Sequence, residues 1–136
     1  MFIRRSLFAA ALVLAASASA AQQAASDAIR LVIRDQIAHF QNDDWTQAFD
    51  YASPAIRDLF RTPENFGRMV REGYPMVWRP TDMRFGTLNP RPGRSLQRVV
   101  LFDSAGVPHA LEYEMIETDS GWKINGVRFL QAEAGA

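Results

Sequence analysis

Five residues carry most of the chemical potential of this chain: Trp78, Arg79, His109, Tyr113 and Asn125. His109 sits in an alternating run with Val107, Leu111, Tyr113 and Met115, whose odd positions are otherwise apolar or aromatic. An imidazole on such a face can act as a base or as a polar anchor for a ligand, because its charge changes near neutral pH. Beside Pro108, at a strand start, it also reads as a structural histidine near a rim. Tyr113 adds a phenol on the same face. Trp78 and Arg79 lie between Pro75 and Pro80, and the guanidinium there can meet a ligand carboxylate or pair with a surface acid. Asn125, next to Gly126, either fixes a local kink through its own backbone or turns its amide into a cavity.

Other constellations point to little chemistry. His39 and Asp43 are four apart on a helical stretch and can face each other. Two ligands of mixed type make half a metal site at most, so a solvated helix edge is the better reading. Nucleophile elbows, phosphate-binding glycine loops and dinucleotide fingerprints are absent. Neither a metal nor a cofactor is expected.

The elements that position these residues divide into helices first and strands second. Ile29, Val32, Ile33, Ile37 and Phe40 recur at helical spacing and predict an amphipathic helix beginning near Ser26 or Asp27. Asn42, Asp43 and Asp44 break it, and Asp44 with Gln47 can cap a second helix carrying Trp45, Ala48, Phe49 and Ala52. Ser53-Pro54 and Thr62-Pro63 each place a hydroxyl at the N-cap and proline at the first helical position. The two helices they open carry Ile56, Leu59 and Phe60, then Phe66, Met69 and Val70, and Gly73 closes the latter. Residues 74–80 hold two prolines and read as an ordered connection or edge strand. Four strands follow, at 83–88, 96–102, 108–116 and 122–129, divided by Gly- and Asp-rich turns. The odd face of the third strand, with Leu111, Tyr113 and Met115, is the inner one. The parity change between Ile124 and Val127 marks a bulge at Gly126. The expected fold is α+β, with N-terminal helices packed in a curved four-stranded antiparallel sheet.

Composition and the first residues bound the class. With 136 residues and 48% hydrophobic content, the chain is one globular domain. Arg4 and Arg5, an apolar run from Leu7 to Ala16, and Ala18-Ser19-Ala20 have the layout of a cleaved secretory signal, too short to span a membrane. The general export route is favoured over the twin-arginine one. Cleavage near Ala20 leaves a loose leader at 21–27, one domain at 28–130 and a tail at 131–136, in the periplasm or outside the cell, with no stable membrane anchor. Absence of cysteine excludes disulfides and thiol chemistry, so the core alone must hold the exported domain. Fifteen basic against 15 acidic residues, two of the former in the signal, argue against a nucleic-acid partner.

Three stretches together resemble a known family: 42–54, reading NDDWTQAFDYASP; 73–80, reading GYPMVWRP; and 121–127, reading GWKINGV. The family is one of exported bacterial domains of unknown function, similar in turn to the nuclear-transport-factor-2-like (cystatin-like, ketosteroid-isomerase-like) cone superfamily. The resemblance implies a cone with a pocket at its open end, and Tyr113, with Tyr51 or Tyr74, near that pocket. It leaves the activity open, because that superfamily holds isomerases, dehydratases, carriers and dimerisation modules. The isomerase-like members use a carboxylate base and a protonated acid, whereas Glu112 and Glu114 here fall on the outward parity.

The leading expectation is a non-catalytic binding module whose pocket takes a small apolar ligand, lined by Trp78, Arg79, His109, Tyr113 and Asn125. A second is a homodimer or protein-interaction module using the outer sheet face, where Arg98, Val100, Phe102, Glu112, Glu114 and Ile116 fall. A third, ranked last, is an isomerase- or dehydratase-like enzyme with His109 as base and Tyr113 as donor.

Overall fold

The computed structural model describes the backbone of residues 2–131 and the side chains of residues 17–131. Its elements run α1 (Phe2–Gln41), α2 (Trp45–Asp50), α3 (Pro54–Phe60), α4 (Pro63–Gly73), α5 (Pro75–Trp78), β1 (Asp82–Arg91), β2 (Arg94–Phe102), β3 (Pro108–Thr118) and β4 (Gly121–Phe129). The fold is α+β, with the helices preceding one four-stranded antiparallel meander in the order β1-β2-β3-β4.

The stripe on α1 buries Ile29, Ile33, Ile37 and Phe40. The expected loose leader at 21–27 is helical instead, continuous with the rest of α1. Its alanines and glutamines are strong helix formers. Asp27 does not cap a helix; it accepts a hydrogen bond at 2.9 Å from the Gln23 amide, one turn earlier. The tail expected from 131 onward lies, beyond Gln131, outside the described residues.

Asp43 ends α1 by taking a left-handed conformation (φ 56°), which aspartate tolerates better than most residues. The expected cap at Ser26 or Asp27 is absent, and the other three are present. Asp44 accepts from the Gln47 amide at 3.3 Å, Ser53 from Ile56 at 3.3 Å and Thr62 from Asn65 at 3.1 Å. Residues 74–80 differ from the sequence expectation, because Pro75 opens the one-turn helix α5 rather than a strand. A proline at the first helical position loses no needed amide, so two prolines bounded a turn of helix without forbidding it.

β1 also runs further than expected, through Pro90 to Arg91, and the chain turns only at Pro92-Gly93, where Gly93 has φ 77°. As the edge strand, β1 accommodates a proline that a central strand would not. The inner face carries Gln97, Val99 and Leu101 of β2 with Leu111, Tyr113 and Met115 of β3, all fully buried. Two bulges interrupt the ladders. In β4, Gly126 pairs with Glu114 and Ile124 with Met115, so Asn125 is the extra residue, at the expected place. In β1, Gly86 and Thr87 together oppose Arg98. The Gln97 amide donates to the carbonyls of Gly86, Thr87 and Arg98 at 3.1, 3.4 and 2.9 Å.

Between the layers, α1, α2, α4 and α5 contribute to one core with the inner sheet face. Its aromatic part centres on Phe66, whose ring lies 5.2 Å from Phe49 and 5.8 Å from both Phe40 and Phe60. Trp45 caps this cluster, 5.6 Å from Phe40, with the Arg71 guanidinium over its face.

Gly67 lies under that indole. A methyl group added there would sit 2.7 and 2.8 Å from Trp45 Cδ2 and Cε3. Gly67→Ala should therefore destabilise the fold by about 1–3 kcal/mol through overpacking. Gly73→Ala, at the open end of α4 with nothing within 4 Å, should instead add about 0.4–1 kcal/mol. Urea midpoints of the two variants against the parent read the opposite signs directly.

Candidate functional site

A cavity of about 300 Å³ opens between α3, α4 and the β4 side of the sheet. Ile56, Leu59 and Phe60 of α3 form one wall, Phe66, Met69 and Val70 of α4 a second, and Tyr113, Ile124, Gly126 and Val127 the sheet side. Phe40 and Gln36 of α1, with Ala52, Tyr74 and Val77, complete it. No carboxylate, imidazole, ammonium or guanidinium lies among the lining side chains. The volume is at the small end of ordinary ligand sites, and the apolar lining with a few polar groups matches their usual character.

α3 is the loosest wall. None of its residues is fully buried, and Leu59 is 69% exposed although it lines the cavity. The helix is fixed at its start: the buried Ser53 donates its hydroxyl to Asn125 Oδ1 at 2.7 Å and accepts from the Ile56 amide.

Three of the lining residues have polar side chains. The Gln36 amide is engaged with the Ala48 carbonyl at 3.1 Å. Tyr74 donates to the Val127 carbonyl at 3.4 Å and stacks on Phe129 with ring centroids 5.1 Å apart. Tyr113 is fully buried and its hydroxyl has no hydrogen-bond partner. Burial, and secondarily the neighbouring Tyr74, pushes the Tyr113 phenol far above its ordinary range, so it keeps its proton.

Of the five expected lining residues, Tyr113 lines the cavity and the other four do not. Trp78 and Arg79 turn to the hinge after α1. The indole N–H donates to Asp43 Oδ1 at 2.9 Å, the guanidinium reaches both Asp43 oxygens at 3.0 Å, and Arg79 lies over the Trp78 ring. The carboxylate at the hinge is a better partner for both donors than an apolar cavity. Asp43 consequently does not face His39, which pairs with Asp44 at 3.5 Å.

His109 is also engaged elsewhere. Its Nε2 donates to Asp103 Oδ2 at 2.8 Å, while Asp103 Oδ1 accepts from the amides of Ala105 and Val107, both at 2.9 Å. This pair staples the β2–β3 turn, with the Asp103 carboxyl held below its ordinary range chiefly by His109 and by the Val107 amide. Asn125 bridges two elements: it accepts from Ser53 and donates to Glu114 Oε2 at 2.8 Å. Tyr74, Gln36 and the α3 wall are the lining residues that the five did not include. Tyr74 was one of two further tyrosines that the resemblance placed near a pocket, and Gln36 is legible as a lone amide inside the apolar α1 stripe.

Among the described residues no cluster of His, Cys, Asp or Glu can hold a metal ion, and no helix is long and apolar enough to cross a membrane. The outer sheet face carries cross-strand ion pairs, Arg94 with Glu114 and Arg128 with the buried Glu112. The model of a family described as "Domain of unknown function (DUF4864)" matches residues 22–136. No curated protein matches the chain.

The network behind Asn125 makes a pH-dependent statement. Arg94 first, then Asn125, hold the Glu114 carboxyl below its usual range, against a smaller opposing effect of burial. A depressed carboxyl contributes stability that is present above the ordinary glutamate pKa and is lost as pH falls through the folded-state value. Glu114→Gln should therefore lower the urea midpoint at pH 7, and the difference from the parent should shrink as pH falls below the ordinary glutamate range.

Proposed function

Since the chain belongs to this family, whose description assigns no activity, we propose that it is an exported, non-catalytic binding module whose cavity takes a small, largely apolar ligand. The observation that carries this reading is the cavity itself, apolar on nearly every side and free of any acid–base pair. General acid–base chemistry needs a titratable group within reach of the bound molecule. The nearest histidine on β3 is committed to Asp103, outside the cavity lining.

Two further parts of the proposal have their own support. Export is supported by the layout of the first twenty residues and by a family match that begins at residue 22, directly after the expected cleavage site. A nuclear-transport-factor-2-like cone is supported by the element order, helices followed by a bulged antiparallel meander with one helical stripe against its inner face. The interaction module is the second choice, because Glu112 and Glu114 on the outer face are already paired within the sheet.

N-Phenyl-1-naphthylamine, an uncharged apolar fluorophore, tests the binding reading. The parent should give a saturable rise in emission. Ile56→Trp, which fills the cavity from α3, should weaken that binding about tenfold or more, a loss of about 1.4 kcal/mol or more, at an unchanged urea midpoint. A parent that leaves the probe dark, or an Ile56→Trp variant that binds as the parent does, removes the cavity from consideration. Mass spectrometry of molecules co-purifying with the parent but not with the variant would then identify the natural occupant.

A further inference from the structure

We infer that α3 closes on the ligand, turning about the buried Ser53 at its start and a strained hinge at Arg61 at its end. This rests on the binding reading above and adds to it how the occupant is held.

Arg61 is a backbone outlier between two of the cavity walls. It has φ 71° and ψ −43°, and the Thr62 amide donates across it to the Phe60 carbonyl at 2.9 Å. That is a γ-turn of the rare hand, strained for a residue that carries a Cβ. Among the described residues one other non-glycine has positive φ, Asp43, and aspartate tolerates it far better than arginine does. Strain of this kind persists only where the surroundings hold it. Here the start of α4 holds it: the Asn65 side-chain amide also donates to the Phe60 carbonyl, at 3.0 Å, and the Thr62 hydroxyl caps α4. α3 itself adds little, since none of its residues is fully buried.

The other walls are fixed by their own burial. α4 is pinned through Phe66, Gly67 and Val70, and Tyr113 and Ile124 are buried in the sheet. α3 differs: Ile56 and Phe60 are half-buried, Leu59 is 69% exposed, and all three line the cavity. Against an apolar occupant, an inward turn of α3 takes these three side chains out of water, which is favourable in proportion to the area removed. The same turn changes the backbone angles at Arg61, the junction between α3 and α4, and lets it leave the strained conformation. Burial and strain relief then act in the same direction, and α3 gains the burial only when a ligand is there to pack on. Elements with few buried contacts are the ones that make such movements.

Two substitutions at the hinge and one distance test the closure, with N-phenyl-1-naphthylamine as the probe. Arg61→Gly removes the strain from the open form, because glycine adopts positive φ freely. Its urea midpoint should equal or exceed the parent's. Its affinity for the probe should fall about fivefold or more, since binding no longer gains the release of one strained residue. Arg61→Ala keeps the Cβ and loses the guanidinium, so it should bind the probe as the parent does. The chain has no cysteine, so spin labels at two introduced ones, Asp58→Cys on α3 and Glu117→Cys on β3, both exposed positions, report the movement itself. The distance between them should shift when the probe is added. A probe that binds with the label distance unchanged would overturn the closure and leave the cavity reading intact. So would an Arg61→Gly variant that binds as tightly as the parent or has a lower midpoint, or an Arg61→Ala variant weakened as much as Arg61→Gly. A probe that stays dark in the parent would overturn the cavity reading and this inference with it.

Discussion

One short backbone pairing decides where the helical layer meets the sheet. The Ser53 amide donates to the Ile124 carbonyl at 2.8 Å, and the Ile124 amide donates to the Tyr51 carbonyl at 2.9 Å. Ser53, between α2 and α3, is fully buried at this contact. Its hydroxyl then reaches Asn125, the extra residue of the β4 bulge, and Asn125 is held in turn by Glu114 and, beyond it, Arg94. A bulge frees a residue from the ladder and re-aims it. Here the freed residue joins the sheet to the N-cap of the neighbouring helix, so the position of α3 follows from the register of β3 and β4.

The cavity is a consequence of how α3 is held. At its start the helix is fixed by Ser53; at its end Arg61 takes a left-handed conformation (φ 71°) and reverses the chain into α4. The seven residues between these points bury no side chain fully. α4 is long enough to do so, and it buries Phe66, Gly67 and Val70. The glycine lets α4 approach the Trp45 indole closely, which draws that helix toward α1 and α2 rather than toward β4. Space is left between α3, α4 and the β4 side of the sheet.

Local chemistry was legible in the sequence, and long-range pairing was not. The caps at Asp44, Ser53 and Thr62, the N1 prolines, the inner parity of β3 and the β4 bulge all depend on neighbours within a few positions, and the structure shows each of them. The extended β1 and the one-turn α5 escaped because proline has two uses that sequence alone does not separate: it opens a helix and it survives on an edge strand. The candidate site was the least legible part. Trp78 meets Asp43 from 35 positions away, and Ser53 meets Asn125 from 72. Each polar residue on the original short list other than Tyr113 found a charged or polar partner closer than the cavity. The lining came instead from the stripes of α3 and α4, where core and cavity wall have the same periodicity.

The inner sheet face holds two buried polar side chains opposite each other, Gln97 on β2 and Tyr113 on β3. Each has one buried polar atom without a protein partner, the Gln97 Oε1 and the Tyr113 hydroxyl. Gln97 donates to three carbonyls around the β1 bulge, two of them on the bulged residues, so its amide stabilises a distortion that the strand requires. Replacing it by an apolar residue would orphan those bonds. Tyr113 supports no bulge, cap or turn, and the fold keeps its ring in full while its hydroxyl is bonded to nothing. Of the two, only Tyr113 lines the cavity. Packing accounts for the aromatic ring at this position, which closes the core beneath the cavity.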